Sequence, residues 1–456
     1  MKRIKLQRVQ FAFLLGCFGA CGLGACSSDD GAPYTEVTRP GPGAGGTGAP
    51  IGNAGTGGAP GAAGNDALGQ GGGLGTGASE GVDPGGLAGA GSGGTGNNSN
   101  GSGGSENTSA GGTGAGGTQN LPQDCDTPPP ASPLIGWASV AGRGVTTTTG
   151  GGNAAPVVVT TLAELQAAVA GTNPAVIHVR GELEPGDLAI GSNKTIIGLC
   201  GAEINGHVEI REATNVIVRN ITIVGYGEGD CALDPGFDPA EGCSSGDDAV
   251  SVQRNSHHIW FDHVAVRDGS DGNLDISNGA DFVTISFGKF SYTPRTDNVG
   301  SDSTGAAGHR YSNLVGGTDE PDEFDDANSL NVTWHHNWWA DNVVERQPRI
   351  RFGQNHLFNN YWNSLTTNYC VRAGIDANVL LEGNVFDGVD DPHEFNNADD
   401  ETTAFITAGA SNLYIATTSD QAIGGGGTPF TDPPYDYTVD AADTVEAAVT
   451  SLAGPQ

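Results

Sequence analysis

The chain has 456 residues, and its 19 Lys plus Arg are outnumbered by 53 Asp plus Glu, which gives a formal net charge of −34 at pH 7. A field of this sign repels polyanions, so nucleic acid and anionic membrane surfaces are not expected partners. Any acidic ligand would need a local basic patch or a bridging cation.

The first 26 residues have the pattern of a bacterial export signal. The apolar run at 11–24 is too short and glycine-rich to span a membrane comfortably. It follows four cations, Lys2, Arg3, Lys5 and Arg8, and leads into "LGAC", which resembles a lipobox. We therefore expect residues 1–25 to be a lipoprotein signal peptide and Cys26 to be the lipidated first residue, held at the cell surface or outer membrane. An ordinary signal peptide, with release into the medium, is the alternative.

Residues 26–127 are a low-complexity stretch of Gly, Ala, Ser and Thr, and no aromatic residue lies between Tyr34 and Trp137. Such a composition cannot bury a core, so we expect a disordered, flexible tether. Residues 128–456 are long enough for one large domain. We expect that domain to be monomeric and to contact the membrane only through the lipid anchor.

The cysteine count suggests at least one disulfide in an exported chain. Five cysteines remain after the signal and the lipidation candidate are set aside: Cys125, Cys200, Cys231, Cys243 and Cys370. Cys231 and Cys243 flank a short Pro/Gly/Asp loop, which makes them the favoured pair. No CxxC or Cys/His spacing indicates a zinc site.

Helices are predicted only near the two ends of the domain. The apolar spacing of 161–171 indicates a helix with Thr160 or Thr161 as its N-cap, and 442–454 has a similar pattern. Between them, strand signals dominate.

The strand signals repeat along the chain. Six segments share alternating apolar residues around a polar or small position: 215–223, 258–266, 282–290, 331–339, 355–363 and 378–386. A matched position recurs at Val264, Gly288, Asn337, Asn360 and Asn384, with gaps of 24, 49, 23 and 24 residues. Reading 49 as two turns gives a period of about 24, which is typical of a solenoid. Repeated Asn suits left-handed bends and stacked amides. We predict an all-β parallel β-helix with short flanking helices; a β-sandwich is the alternative.

An acidic constellation lies within the repeats. Asp247 and Asp248 precede one strand, and Asp271 and Asp275 lie about one period later. Carboxylates that converge from adjacent turns favour Ca²⁺, which accepts irregular oxygen geometry. A solvated acidic loop is the alternative.

A basic cluster follows in "NVVERQPRIRFG". Arg346, Arg349 and Arg351 are three of only 19 cations, and strand alternation places Arg349 and Arg351 on one face, opposite to Ile350. Arg295 and Arg372 are candidates from neighbouring turns. Guanidinium groups beside a bound cation would suit an acidic sugar. The alternative is that these arginines only neutralise nearby Asp residues.

These motifs together resemble a known family. The segments "GDDAVSV", "IWFDH", "DGNLDISNGADFVTIS", "VTWHHNWW", "ERQPRIRFGQNHLFNNYW" and "NVLLEGNVF" are similar, in order and over about 136–388, to the family 1 polysaccharide lyases, the pectate lyases. The resemblance implies a right-handed parallel β-helix that cleaves polygalacturonate or pectin by Ca²⁺-dependent β-elimination.

The resemblance also implies roles for single residues. Asp248, Asp271 and Asp275 match the Ca²⁺ ligands, and Asp247 is a secondary candidate. Arg346 matches the family's catalytic base. Arg351 matches the arginine that binds the substrate carboxylate. Arg349 and Arg372 are further candidates for binding substrate, from strand alternation and the neighbouring turn and not from a matching motif. Arg295 stands where the family usually has a lysine, which keeps the charge but changes its geometry.

Three other functions fit parts of the pattern. A β-helix polygalacturonase would share "GDD", "GH" and "RIR", but their spacing differs from a single turn and no opposed carboxylates are placed for hydrolysis. A Ca²⁺-independent pectin lyase is disfavoured by the Asp residues. A non-catalytic surface glycan-binding protein is disfavoured by Arg346 and Arg351.

Overall fold

A computed structural model describes residues 125–228, 234–238, 246–294, 310–320, 324–396, 403–419 and 421–456. The predicted signal peptide, Cys26, most of the tether and the predicted Cys231–Cys243 disulfide lie outside these ranges, as does Arg295. In the described part of the chain, no helix is long and apolar enough to cross a bilayer.

The described residues form 25 strands and two α-helices. The strands are β1 Pro156–Val159, β2 Ala175–Val179, β3 Leu188–Ala189, β4 Lys194–Gly198, β5 Glu203–Asn205, β6 Val208–Arg211, β7 Thr214–Val224, β8 Val250–Gln253, β9 His257–Arg267, β10 Leu274–Ile276, β11 Asp281–Ser286, β12 Lys289–Ser291, β13 Leu314–Val315, β14 Val332–His335, β15 Trp338–Trp339, β16 Arg349–Ile350, β17 Gln354–Phe358, β18 Tyr361–Trp362, β19 Val371–Ala373, β20 Asn378–Glu382, β21 Val385–Asp387, β22 His393–Phe395, β23 Phe405–Ala408, β24 Leu413–Ile415 and β25 Gly424–Gly425. The helices are α1 Leu162–Val169 and α2 Ala442–Leu452, and short 3-10 helices lie at Trp137–Ser139, Tyr226–Glu228 and Asp326–Asn328.

The strands stack as the turns of a parallel β-helix. Successive turns each contribute one strand to an eight-stranded sheet in the order β22-β19-β16-β13-β10-β8-β6-β3. Each turn also contributes either two short strands or one long strand, as with β7 and β9, to a 17-stranded sheet. The turn β16–β17–β18, for example, pairs in parallel with β13–β14–β15 on one side and β19–β20–β21 on the other. The predicted fold class is confirmed, because apolar side chains of every turn meet in one core.

One predicted detail of the repeat is wrong. The 49-residue gap between Gly288 and Asn337 was interpreted as two turns, but β11 pairs directly with β14, with Ile285 opposite Trp334. The Gly288 amide also donates to Asn337 Oδ1 at 2.7 Å. The gap is therefore a single turn that carries a long insertion between β12 and β14, which a period count cannot distinguish from two ordinary turns.

The repeated asparagines form a buried ladder along the solenoid. Asn337 Nδ2 donates to Asn360 Oδ1 at 3.0 Å, and Asn360 Nδ2 donates to Asn384 Oδ1 at 3.1 Å. The stacking was predicted, but the left-handed conformation lies one residue earlier, at His336, Asn359 and Gly383, with φ of 56°, 53° and 61°. The chain turns at those residues, which directs the following amide inward.

We expect Asn360→Ala to lower the free energy of unfolding by about 2–4 kcal/mol, because it leaves several buried polar groups without hydrogen-bond partners. Asn360 accepts from the Asn337 amide at 2.9 Å and donates to the Trp334 carbonyl at 2.9 Å. Denaturant unfolding measures the loss. Asn153→Ala, at an exposed position, is the control and should change stability little; equal effects of the two substitutions would contradict the ladder's role.

Aromatic side chains stack beneath the ladder. Trp339 lies 4.6 Å from Trp362, which lies 4.4 Å from Phe386, with nearly parallel rings. Trp334 is fully buried beside them, whereas Trp338 is partly exposed under the Lys289 ammonium at 4.4 Å. The tryptophans thus mainly pack the solenoid, as expected for large side chains in a repeat core.

The flanking helices and the N-terminal segment cover the solenoid. Thr161 caps α1 by accepting from the Glu164 amide, one of the two predicted caps, and α2 brings Val445 and Val449 against Tyr361 and Val385. Cys125, three residues before the predicted domain boundary, forms a disulfide with Cys200. A sequence-based choice between cysteine pairs had no access to this contact, which spans 75 residues.

The Trp260-Phe261-Asp262-His263 motif forms a buried polar network. Trp260 Nε1 donates to Ser286 Oγ at 2.9 Å, Ser286 Oγ donates to Asp262 Oδ1 at 2.8 Å, and His263 Nδ1 lies 2.9 Å from the same oxygen. The two bonds of Ser286 join neighbouring turns, and the His263–Asp262 contact lies within one strand, so the motif stabilises the stacking of the solenoid.

Buried histidines should make the domain sensitive to acid. Burial lowers the pKa of His335 well below its usual value, and burial lowers that of His257 to about 4. The unfolded chain binds protons at these sites near pH 6.5 and the folded chain does not, so stability falls as pH drops from about 6.5 toward 4. We expect His335→Phe to flatten this decline in a melting-temperature series, because a ring remains against Phe358 without a titrating group. An unchanged slope would contradict this.

Candidate active site

The predicted acidic and basic residues meet on the outer face of the eight-stranded sheet. Asp248 lies two residues before the first residue of β8, and Asp275 is the middle residue of β10. Two strands further along, Arg349 opens β16, and Arg372 is its register partner on β19. Adjacent strands lie ~4.8 Å apart, so Asp275, Arg349 and Arg372 lie along a single row, with Leu314 between Asp275 and Arg349.

Asp248 and Asp275 converge on one point. A Cβ atom built on Gly272 would lie 2.9 Å from Asp248 Oδ1 and 3.0 Å from Asp275 Oδ1. Asp248 Oδ2 accepts from Ser251 Oγ at 3.0 Å, but its Oδ1 is buried without a hydrogen-bond partner. A buried carboxylate oxygen of this kind is costly unless a cation or proton satisfies it. Among the described residues, no three or more His, Cys, Asp or Glu side chains lie close enough together to hold a metal ion as they stand.

The carboxylates at this point raise one another's pKa. Burial raises the pKa of Asp248 well above its usual value, and the charges of Asp275 and Asp271 add to the effect. Burial raises the pKa of Asp275 to about 7, although Arg346 opposes the shift. Asp271 therefore belongs electrostatically to the same group, and a bound divalent cation would relieve the repulsion.

Asp247 faces a different set of groups. Burial raises its pKa, His207 opposes this, and Asp234 and Asp187 add to it. A Cβ on Gly236 would lie 3.3 Å from Asp234 Oδ1 and 3.4 Å from Asp247 Oδ2. No sequence pattern indicates Asp234, because it lies in the Pro/Gly/Asp loop, outside the repeated strands.

Arg346 is buried beside the carboxylates. Only 2% of its surface is exposed, and its guanidinium carbon lies 4.3 Å from the centre of the Tyr311 ring. Its carbonyl accepts from the Asn313 amide at 2.6 Å, while the next residue, Leu314, donates its amide to Asp275 Oδ1 at 2.9 Å. Strand β13 thereby connects Arg346 and Asp275.

Arg349 and Arg351 share one face, as predicted, and Ile350 between them is fully buried in the core. Arg351 Nε donates to Asp319 Oδ1 at 2.6 Å, and its Nη1 donates to the Gly316 carbonyl at 2.8 Å. Asp319 comes from the acidic insertion before β14 and its side chain is 54% exposed. The alternative that these arginines neutralise acidic side chains thus applies in part to Arg351.

Arg372 is held by groups that the sequence analysis missed. Its Nε donates to Glu394 Oε1 at 2.5 Å, and its guanidinium carbon lies 3.4 Å from the centre of the Tyr369 ring. Glu394 lies on β22 in register with Arg372. That pairing could have been found from sequence only with the turn lengths known, since the two residues are 22 positions apart.

Comparison with known proteins gives a consistent family. The pectate lyase family model matches residues 126–456. The chain is 34% identical over 224 residues to a pectate trisaccharide-lyase of Thermotoga maritima, covering 48% of this chain and 53% of that protein. It is 30% identical over 306 residues to pectate lyase A of Emericella nidulans, covering 65% and 79% respectively.

A solved structure shares the fold. A pectate lyase from Bacillus sp. N165 in complex with trigalacturonate matches with a TM-score of 0.54 and 24% identity, over 71% of this chain and 98% of that one. The chain spans about half the length of the Thermotoga relative. This match therefore indicates common ancestry, and the activity of that protein is not transferred to the chain. The match of the family model over nearly the whole described domain shows that the chain belongs to the pectate lyase family.

Proposed function

We propose that the domain cleaves α-1,4-linked galacturonan by Ca²⁺-dependent β-elimination, leaving unsaturated oligogalacturonides. The observation that carries the proposal is the burial of Arg346 beside the Asp248–Asp275 pair, with Arg349 and Arg351 following it at β16. The neighbouring fold with bound trigalacturonate supports an acidic polysaccharide as substrate.

The residues fit a cation as well as a uronate. Asp248, Asp271 and Asp275 would hold Ca²⁺, because one buried oxygen of Asp248 lacks a hydrogen-bond donor and all three carboxylates repel one another. Asp247 would contribute little to Ca²⁺ binding, since it faces Asp234. Bound Ca²⁺ would stabilise the negative charge that develops on the substrate's C6 carboxylate.

The arginines would take part in proton transfer and would bind the substrate. Arg346 would remove the C5 proton as the C4–O bond breaks, and Arg351 would hold the adjacent carboxylate through its planar fork. Arginine is a weak candidate for a base in water. Here the Arg346 guanidinium is withdrawn from solvent, with only 2% of the residue's surface exposed.

Export and anchoring are part of the proposal. We expect Cys26 to carry a lipid that attaches a monomeric enzyme to the cell surface, with the acidic chain otherwise avoiding the membrane. Mass spectrometry of the N-terminal peptide from membrane and culture-medium fractions tests this. An unmodified peptide found only in the medium would show that the signal is of the ordinary type.

The activity is tested by incubating the full chain with polygalacturonate and following the absorbance of the unsaturated product, with Ca²⁺ and with chelator. We expect product only with Ca²⁺. Chelator-resistant activity on methylated substrate would indicate a pectin lyase, and reducing ends without unsaturation would indicate a hydrolase. Binding without cleavage would indicate a glycan-binding protein.

A further inference from the structure

Arg372 lies at the end of the arginine row and is fixed by its own chain. Its Nε donates to Glu394 Oε1 at 2.5 Å, and the side chains are only 26% and 14% exposed. The Tyr369 ring lies against the other side of the guanidinium at 3.4 Å. An ion pair and an aromatic face together leave little of the positive charge for a ligand.

The surroundings of this pair are acidic. Burial raises the pKa of the Glu394 carboxyl; Arg372 opposes this, and Asp391 and Glu345 reinforce it. The charges of Arg372, its register neighbour Arg349 and Arg346 all act on the Tyr369 ring. Three acidic side chains therefore face three arginines, so this end of the row offers a free uronate no net attraction.

The contrast with Arg351 is one of solvent access. Arg351 also binds a carboxylate of its own chain, but Asp319 lies on a loop and is 54% exposed. A substrate carboxylate can displace Asp319 into water at little cost. Glu394 lies on a strand and is mostly buried, so displacing it would leave a poorly solvated charge without its partner.

We propose that Glu394 is a specificity-determining residue. It makes the subsite over Arg372 accept an uncharged sugar unit, such as a methyl-esterified uronate, in preference to a free uronate. A free carboxylate placed there meets the Glu394 charge on the same guanidinium, whereas an ester does not. The inference rests on the proposed lyase function and refines its substrate class.

Glu394→Gln tests the proposal because it removes the charge and keeps the amide oxygen for Arg372. Rates on polygalacturonate and on highly methyl-esterified pectin are compared at saturating Ca²⁺. We expect the ratio of kcat/KM on polygalacturonate to that on pectin to rise about 3–10-fold, mainly through a lower KM on polygalacturonate. Glu394→Asp, which keeps the charge, should retain the wild-type ratio.

Glu446→Gln removes the same charge from an exposed position on α2 and is the matched control; it should leave the ratio unchanged. An unchanged ratio in Glu394→Gln, or a fall in kcat with constant KM, would overturn the proposal, the latter because Glu394 would then only position Arg372. If the wild type makes no unsaturated product, the lyase proposal fails. Calorimetric binding of trigalacturonate and its methyl ester to wild type and Glu394→Gln then still decides the selectivity.

Discussion

Arg346→Lys is expected to reduce kcat on polygalacturonate by about 10²–10⁴-fold while leaving KM nearly unchanged. Lysine keeps a cation but cannot reproduce the guanidinium that lies 4.3 Å from the Tyr311 ring and beside Asp275. A proton-abstracting group acts in the transition state, so its loss appears in kcat. Steady-state kinetics with the unsaturated-product absorbance give both constants.

Two comparisons separate this role from structural damage. Arg351→Gln should mainly raise KM, because Arg351 is proposed to bind the substrate carboxylate. Arg180→Gln, at a half-exposed position paired with Asp126, should change neither constant. Melting temperatures near the wild-type value show that Arg346→Lys is folded; a folded Arg346→Lys variant with the full wild-type rate would remove Arg346 from the mechanism.

Asp248→Asn should abolish the calcium response of the domain and stabilise it in chelator. In the wild type without metal, the buried Asp248 and Asp275 carboxylates converge near Gly272 and repel one another. Ca²⁺ at 100 times its dissociation constant would add about 2.7 kcal/mol to wild-type stability. The amide removes both the repulsion and the main charge of the site, so the melting temperature should rise in chelator and stop responding to Ca²⁺.

The control for this prediction is Asp436→Asn, an exposed aspartate near the C-terminus. It should keep the full calcium-induced shift in melting temperature. Isothermal titration with Ca²⁺ provides a second readout that is independent of activity. If Asp248→Asn keeps the full Ca²⁺-induced shift in melting temperature, Asp248 is not a calcium ligand. If Asp275→Asn also keeps it, the calcium site does not lie on this sheet.

Much of the solenoid could be predicted from local patterns. The alternation of Arg349, Ile350 and Arg351 predicts two cations on the face opposite to one core residue. In the structure Ile350 lies in the core, and Arg351 pairs with the exposed Asp319. The spacing of Asn337, Asn360 and Asn384 predicts the amide ladder. These features repeat with the strand or with the turn, so a short stretch of sequence contains the information.

The repeat, the shared face of Arg349 and Arg351 and the kind of chemistry that the charged side chains suit can therefore be read from local sequence patterns. The partner of each side chain depends on the packing of turns against one another: Arg351 meets Asp319, Arg372 meets Glu394, and Cys125 meets Cys200. The 49-residue turn shows the reason. Contacts between turns depend on register, and an insertion changes the number of residues in a turn without changing the pattern of its strands.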